Sequence, residues 1–238
     1  MSSRIVRNVL VSLGFVILGF LLVWGFVLAM GFALVPIARA DAVMALPDPA
    51  VDAPLAKTPG EATAIVSGGC FWGIQAVFQH VKGVKTAISG YSGGAAYTAN
   101  YEIVSTGTTG HAESVKITYD PAQISYGELL KIFFSVAHDP TQLNRQGPDE
   151  GTQYRSVIFY DGDEQKRIAD AYVSQLQQAK AFPRPIVTQI VPLKAFYPAE
   201  NYHQNYATLH PSDPYILIND APKVARLKQE LPNLYIGR

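Results

Sequence analysis

The sequence predicts an α+β domain, a central mixed β-sheet flanked by helices, preceded by an apolar leader and followed by a long irregular C-terminal segment. Three observations carry that reading. Short β-branched runs and helical-period runs are interspersed without strict alternation. An uncharged stretch, residues 9–35, has Ser12 as its one polar side chain and stands apart from the rest of the chain. The roughly 200 residues after it are one domain's worth of chain, enough to bury about 70% of the surface that the unfolded polymer exposes.

Arg4 and Arg7 precede the apolar run, which exceeds the ~20 residues a transmembrane helix needs. It ends at Ala38-Arg39-Ala40, an A-x-A pattern suited to signal peptidase. Residues 1–40 therefore read as a signal peptide or membrane anchor. Both outcomes export the body to the periplasm, held by residues 9–35 or released by cleavage near Ala40. Residues 41–62, with Pro47, Pro49, Pro54 and Pro59, read as a Pro/Ala-rich extended tether, and residues 63–238 as the folded body.

Within the body, residues 63–66 form a β-branched run that ends in Ser67-Gly68-Gly69. Cys70 then opens a helix whose apolar positions, Phe71, Ile74, Val77, Phe78 and Val81, have helical spacing. Residues 84–92 read as a strand and 93–100 as a loop. Val115, Ile117 and Tyr119 alternate with Ser114, Lys116 and Thr118, so 112–119 is a half-buried strand closed by Asp120-Pro121. A helix is predicted over 126–136, with Ser125 as N-cap and Glu128 placed to complete a capping box. An irregular stretch over 139–153 leads to a strand at 156–160, a long helix at 163–182 and a strand at 186–191. Residues 193–215 read as irregular and aromatic, and 222–231 as a terminal helix.

Charge and cysteine content narrow the chemistry. Nineteen Lys+Arg balance nineteen Asp+Glu. Arg4, Arg7 and Arg39 fall in residues 1–40, so the remainder keeps 16 basic against 19 acidic residues, a formal charge of −3. That balance argues against nucleic acid as a partner. Cys70 is the single cysteine, which excludes an intramolecular disulfide, a Cys-pair zinc site and a CxxC redox motif. At a helix N-terminus its thiol is expected to ionise below the usual value of about 8.5, because free N–H groups and the helix dipole favour negative charge. The same residues also suit a buried cysteine acting as a small hydrophobe.

The string Gly68-Gly69-Cys70-Phe71-Trp72-Gly73 resembles the signature of the A-type peptide methionine sulfoxide reductases, in the form with a single cysteine. The resemblance continues, in the family's order, at Gly90-Tyr91-Ser92-Gly93-Gly94, Gly110-His111-Ala112-Glu113, His138-Asp139-Pro140, Gly151-Thr152-Gln153-Tyr154-Arg155-Ser156 and Tyr202-His203-Gln204. It spans about residues 63–235. It implies thiol-dependent reduction of methionine S-sulfoxide, free or in proteins, with Cys70 attacking the sulfoxide sulfur and Glu113 protonating the departing oxygen. Glu113 must then be neutral near pH 7, which burial among aromatic groups would bring about.

The resemblance further implies that Tyr101 and Tyr154 hydrogen-bond the oxygen, that Phe71 and Trp72 hold the methyl group, and that Gly69 and Asp149 belong to the substrate site. His203 is expected behind that site, in a supporting position. No metal or organic cofactor is implied.

Many members of the family carry further cysteines that attack the resulting sulfenic acid, forming a disulfide that thioredoxin reduces. This chain has none, and Ser105 stands near a position where some members have one. The sulfenic acid must then be reduced by an outside thiol, a thioredoxin-like protein or a small molecule. Two readings of other classes use the same residues. One is a Cys–His hydrolase or acyltransferase with His111, His138 or His203 as base. The other is a module that binds oxidised methionine without reducing it.

Overall fold

The structure, a computed structural model, describes residues 45–237. Along the chain come strand β1 (Ala62–Ser67), helix α1 (Phe71–Gln79), strand β2 (Val84–Ser92), the one-turn helix α2 (Tyr101–Val104), strand β3 (Ala112–Tyr119) and helix α3 (Tyr126–Ile132). The last passes into a π-turn over Phe133–Ala137. Two-residue strands β4 (Arg145–Gln146) and β5 (Asp149–Glu150) form a small hairpin. Strand β6 (Val157–Tyr160), helix α4 (Gly162–Gln178), strands β7 (Gln189–Pro192) and β8 (Phe196–Pro198), and helices α5 (Tyr206–Leu209) and α6 (Ala221–Glu230) complete the body.

Six strands form one sheet in the order β7-β6-β1-β3-β2-β8. Every pairing is antiparallel except β6 with β7, which makes the sheet mixed, as predicted. The period of two in β3 decides what lies under α1. Val115, Ile117 and Tyr119 share the face that packs in the main core with Phe71, Ile74, Val77 and Phe78 of α1. Glu113 stands at the next alternate position on that face. Ala112 falls on the opposite face, in a smaller cluster with Ile65, Val157 and Phe159.

The capping box of α3 forms in both directions: Ser125 Oγ accepts from the Glu128 N–H at 3.1 Å, and Glu128 Oε2 accepts from the Ser125 N–H at 2.9 Å. Helix α4 stops at Gln178 rather than at residue 182, because Lys180 takes a left-handed conformation (φ 50°) and Pro183 follows. The C-terminal segment read as irregular contains β8, which extends the sheet beside β2, and the single turn α5. Elements of three or four residues are too short to show a period.

Residues 45–61 have no regular structure, as their prolines imply, yet they are seated on the body. Pro47 O accepts from the Tyr172 hydroxyl at 2.9 Å and Asp48 pairs with Lys131 at 2.6 Å. Asp52 accepts from the Ser125 hydroxyl and from the Gly127 N–H, supplying acceptors at the first turn of α3. No helix among the described residues is long and apolar enough to cross a membrane. The apolar run 9–35 lies outside them.

Candidate active site

Strand β1 turns sharply into α1 through Gly69, whose φ of +95° an L side chain rarely adopts and whose Cβ would overlap the Gln146 side chain. Gly69 thus shapes the turn that brings Cys70 to the cavity. Cys70 is the N-cap residue of α1; its sulfur forms no cap of the kind Ser or Asp would offer, though the Trp72 N–H at N2 favours its thiolate. The first helical N–H, that of Phe71, is taken by Glu113 Oε2 at 3.0 Å. Cys70 is 8% exposed and Glu113 3%.

Together with Phe71, Trp72, Tyr101, Asp149, Tyr154 and Tyr215, these two line a cavity of about 220 Å³. Surface hollows of about 440 and 460 Å³ are larger, but neither is lined by a cysteine or a carboxyl. The structure thus brings seven of the predicted residues to one place and adds Tyr215. His203 lies just behind: the Trp72 indole N–H donates to His203 Nδ1 at 3.3 Å, and the His203 ring stands 5.0 Å from Phe71 and 4.5 Å from Tyr101.

Burial dominates the electrostatics. Glu113 is pushed up to about 8, chiefly by loss of water, against which the Phe71 N–H works only in part. Cys70 is also raised. Desolvation is the main cause, Glu113 and Asp220 add to it, and the Trp72 N–H and Lys223 oppose it. The expected depression of the thiol by its helix is therefore overturned, because a short helix's N-terminus is outweighed by a dry, carboxyl-lined surround. Burial also keeps the phenols of Tyr101, Tyr154 and Tyr215 protonated well into alkaline pH.

Several contacts hold these groups in place. The Arg155 guanidinium donates to Gly110 O at 2.9 Å, His111 O at 3.0 Å and Thr152 O at 2.8 Å, locking the start of β3 to the turn that carries Tyr154. Glu200 accepts from the Tyr91 hydroxyl and from the Tyr101 N–H, both at 2.9 Å, and so ties α2 to β2. Trp72 stacks on Tyr206 at 3.8 Å and meets Tyr215 edge-on at 5.9 Å. The Tyr215 hydroxyl donates to Asp149. Sequence reasoning missed Glu200, Tyr206 and Tyr215; the density of tyrosines across residues 193–215 was their one signal.

Of the three candidate histidines, His111 and His138 are committed elsewhere, and His203 Nε2 is buried with no hydrogen-bond partner. His111 Nδ1 accepts from the Gly94 N–H while Nε2 donates to Ala95 O. His138 donates to Phe133 O, accepts from the Ser156 hydroxyl, and is held neutral down to about 4 by burial. None of the three lines the Cys70 cavity. A Cys–His hydrolase would need one there.

Fold and site together define a cysteine-based oxidoreductase of the α+β class, with one thiol facing a neutral carboxyl and a set of phenols. The family model for peptide methionine sulfoxide reductase matches residues 62–234. A relative from Mesorhizobium japonicum described as peptide methionine sulfoxide reductase MsrA 2 is 65% identical over 177 residues, covering 74% of this chain and 91% of its own. Among solved structures, reduced Mxr1 from Saccharomyces cerevisiae aligns with a TM-score of 0.57 at 32% identity, over 67% of this chain and 94% of that one. Methionine sulfoxide reductase A of Corynebacterium diphtheriae aligns at 0.55 and 36%, over 65% and 77%. The chain belongs to the peptide methionine sulfoxide reductase family.

Keeping Glu113 buried has a cost that depends on pH. Its value rises from 4.5 to about 8 on folding, so between those limits the folded state binds more protons than the unfolded one, and stability falls as pH rises. Glu113→Gln removes that dependence. Urea unfolding should show the variant gaining on wild type from pH 5 to pH 9 by on the order of 3 kcal/mol; a constant difference would place the Glu113 titration outside this window.

Proposed function

We propose that Cys70 attacks the sulfur of methionine S-sulfoxide, free or in a protein, while Glu113 delivers a proton to the oxygen. The observation that carries this reading is the shared cavity of a nucleophilic sulfur and a carboxyl that holds its proton to about pH 8. A bare oxide is a poor leaving group, so the proton matters as much as the nucleophile. With Oε2 engaged by the Phe71 N–H, the other oxygen of Glu113 is free to carry the proton. Tyr101 and Tyr154 supply two further donors for the oxygen. Phe71 and Trp72 offer aromatic faces to the sulfoxide methyl.

In the balance of this step the sulfoxide sulfur gains two electrons and the Cys70 sulfur loses two. The oxygen ends on Cys70 as a sulfenic acid and methionine leaves. With a single cysteine in the chain, one external thiol condenses with the sulfenic acid, releasing water and leaving a mixed disulfide. A second thiol then frees Cys70. A thioredoxin-like protein or a small thiol fits that role. The leader over residues 1–40 supports an exported, periplasmic body, where repair of oxidised envelope proteins would be its task. Protease should therefore reach a tagged body once the outer membrane is opened; protection until the inner membrane is lysed would refute export.

Incubated with a methionine sulfoxide peptide and no thiol, the full chain should form about one methionine per molecule and add one oxygen to Cys70 by mass. Cys70→Ser should form none, and Glu113→Gln should be slower by about 10²–10⁴-fold. More than one turnover without thiol would overturn the need for an external reductant. No methionine from the folded chain would overturn the reaction itself.

A further inference from the structure

A thiolate at Cys70 lacks an obvious counter-charge. The groups around the cavity are Glu113 on β3, Tyr101 on α2, Asp149 on β5, Tyr154 in the following turn and Tyr215 before α6, and none of these is a cation. A cation does stand behind the first turn of α1. Lys223 Nζ lies 3.0 Å from Asp220 Oδ1; the Asp220 side chain is fully buried and that of Lys223 is 17% exposed.

The pair is seated against Gly73, three residues after Cys70. A Cβ there would overlap Asp220 Oδ1 and stand 2.7 Å from Lys223 Nζ. Gly73 has ordinary helical backbone and does not need glycine's freedom; the pair needs the space. Asp220 Oδ2 is buried with no hydrogen-bond partner. A buried ion pair left half satisfied is a poor way to stabilise a fold, since apolar residues of similar volume often do as well or better.

We propose that Lys223, held by Asp220 behind Gly73, is the positioning cation for the Cys70 thiolate. It supplies from α6 the positive charge that the cavity wall lacks, without entering the space the substrate occupies. Its field reaches several groups. Burial, Glu113 and Asp220 push the Cys70 thiol up while Lys223 pushes it down. The same ammonium opposes the burial-driven rise of Asp149 and adds to the burial that keeps His138 neutral. Asp220 restrains the device, because its own charge disfavours the thiolate while its oxygen fixes the ammonium. The proposal rests on Cys70 being the nucleophile of the reaction above, but its readout needs no sulfoxide.

The test is the rate at which iodoacetamide alkylates Cys70 in the full chain, followed by intact mass from neutral to alkaline pH, with circular dichroism as the check on folding. Only thiolate reacts, and its proton goes to solvent. At a fixed mildly alkaline pH, Lys223→Met should react about threefold more slowly than wild type, the effect of roughly half a pH unit in the midpoint. Lys223→Arg should stay within about twofold.

Asp220→Asn keeps an oxygen for Lys223 and loses the opposing charge, so it should react about threefold or more faster. General damage to the site would not give opposite signs. Superimposed profiles for the folded variants would overturn the proposal. If Lys223→Met does not fold, Asp220→Asn decides alone, and an unchanged or slower rate is the contrary result. Failure of the reductase reading would look different: the alkylation order would hold while wild type formed no methionine.

Discussion

Everything at this site hangs on the hydrogen bond from the Phe71 N–H to Glu113 Oε2. It satisfies the first orphan donor of α1, the N1 N–H that an N-cap side chain does not serve, with a carboxyl from the middle of the sheet. Nucleophile and acid are thereby referred to the same helix start. Only strand periodicity makes this reachable. Glu113 shares the face of β3 that carries Val115 and Ile117 into the core, so it arrives beneath α1 without water.

The price of that arrangement is electrostatic, and burial decides the sign at each group. For Glu113 the loss of water outweighs the Phe71 N–H and leaves the carboxyl protonated near neutral pH, as an acid catalyst must be. For Cys70 the same loss outweighs the helix end and leaves a thiol at rest. The two effects conflict, since one favours proton delivery and the other withholds the nucleophile. On the proposal above, Lys223 eases the conflict from outside the cavity, while its partner Asp220 adds to the rise of both Cys70 and Glu113. Around this centre, Arg155 and Glu200 fix the segments that bring Tyr154 and Tyr101, so the phenols are held by backbone anchors.

Much of the frame was legible in residue pattern. Strands at 84–92 and 112–119 were placed to the residue, and Ser125 and Glu128 announced the capping box that forms. Cys70 at a helix start after two glycines was visible from local spacing alone. Legibility ended where structure depends on distant partners. Tyr215, Asp220 and Lys223 come from a segment more than 140 residues beyond Cys70, and no local period announces that they return to it. The thiol's direction of shift was misjudged because a helix N-terminus can be read from sequence while desolvation cannot. Gly69 shows a related limit: that its turn requires φ +95° and the space beside Gln146 is not readable from a pair of glycines.

The account stands or falls on Glu113 keeping its proton in the folded chain. Infrared difference spectroscopy of the carboxyl C=O stretch, compared between wild type and Glu113→Gln across pH, reads that proton directly. A protonated-carboxyl band that persists at neutral pH, titrates near pH 8 and is missing from the variant is the predicted result. A band that vanishes near 4.5, the ordinary glutamate value, would contradict it, leaving Cys70 without an acid in its cavity.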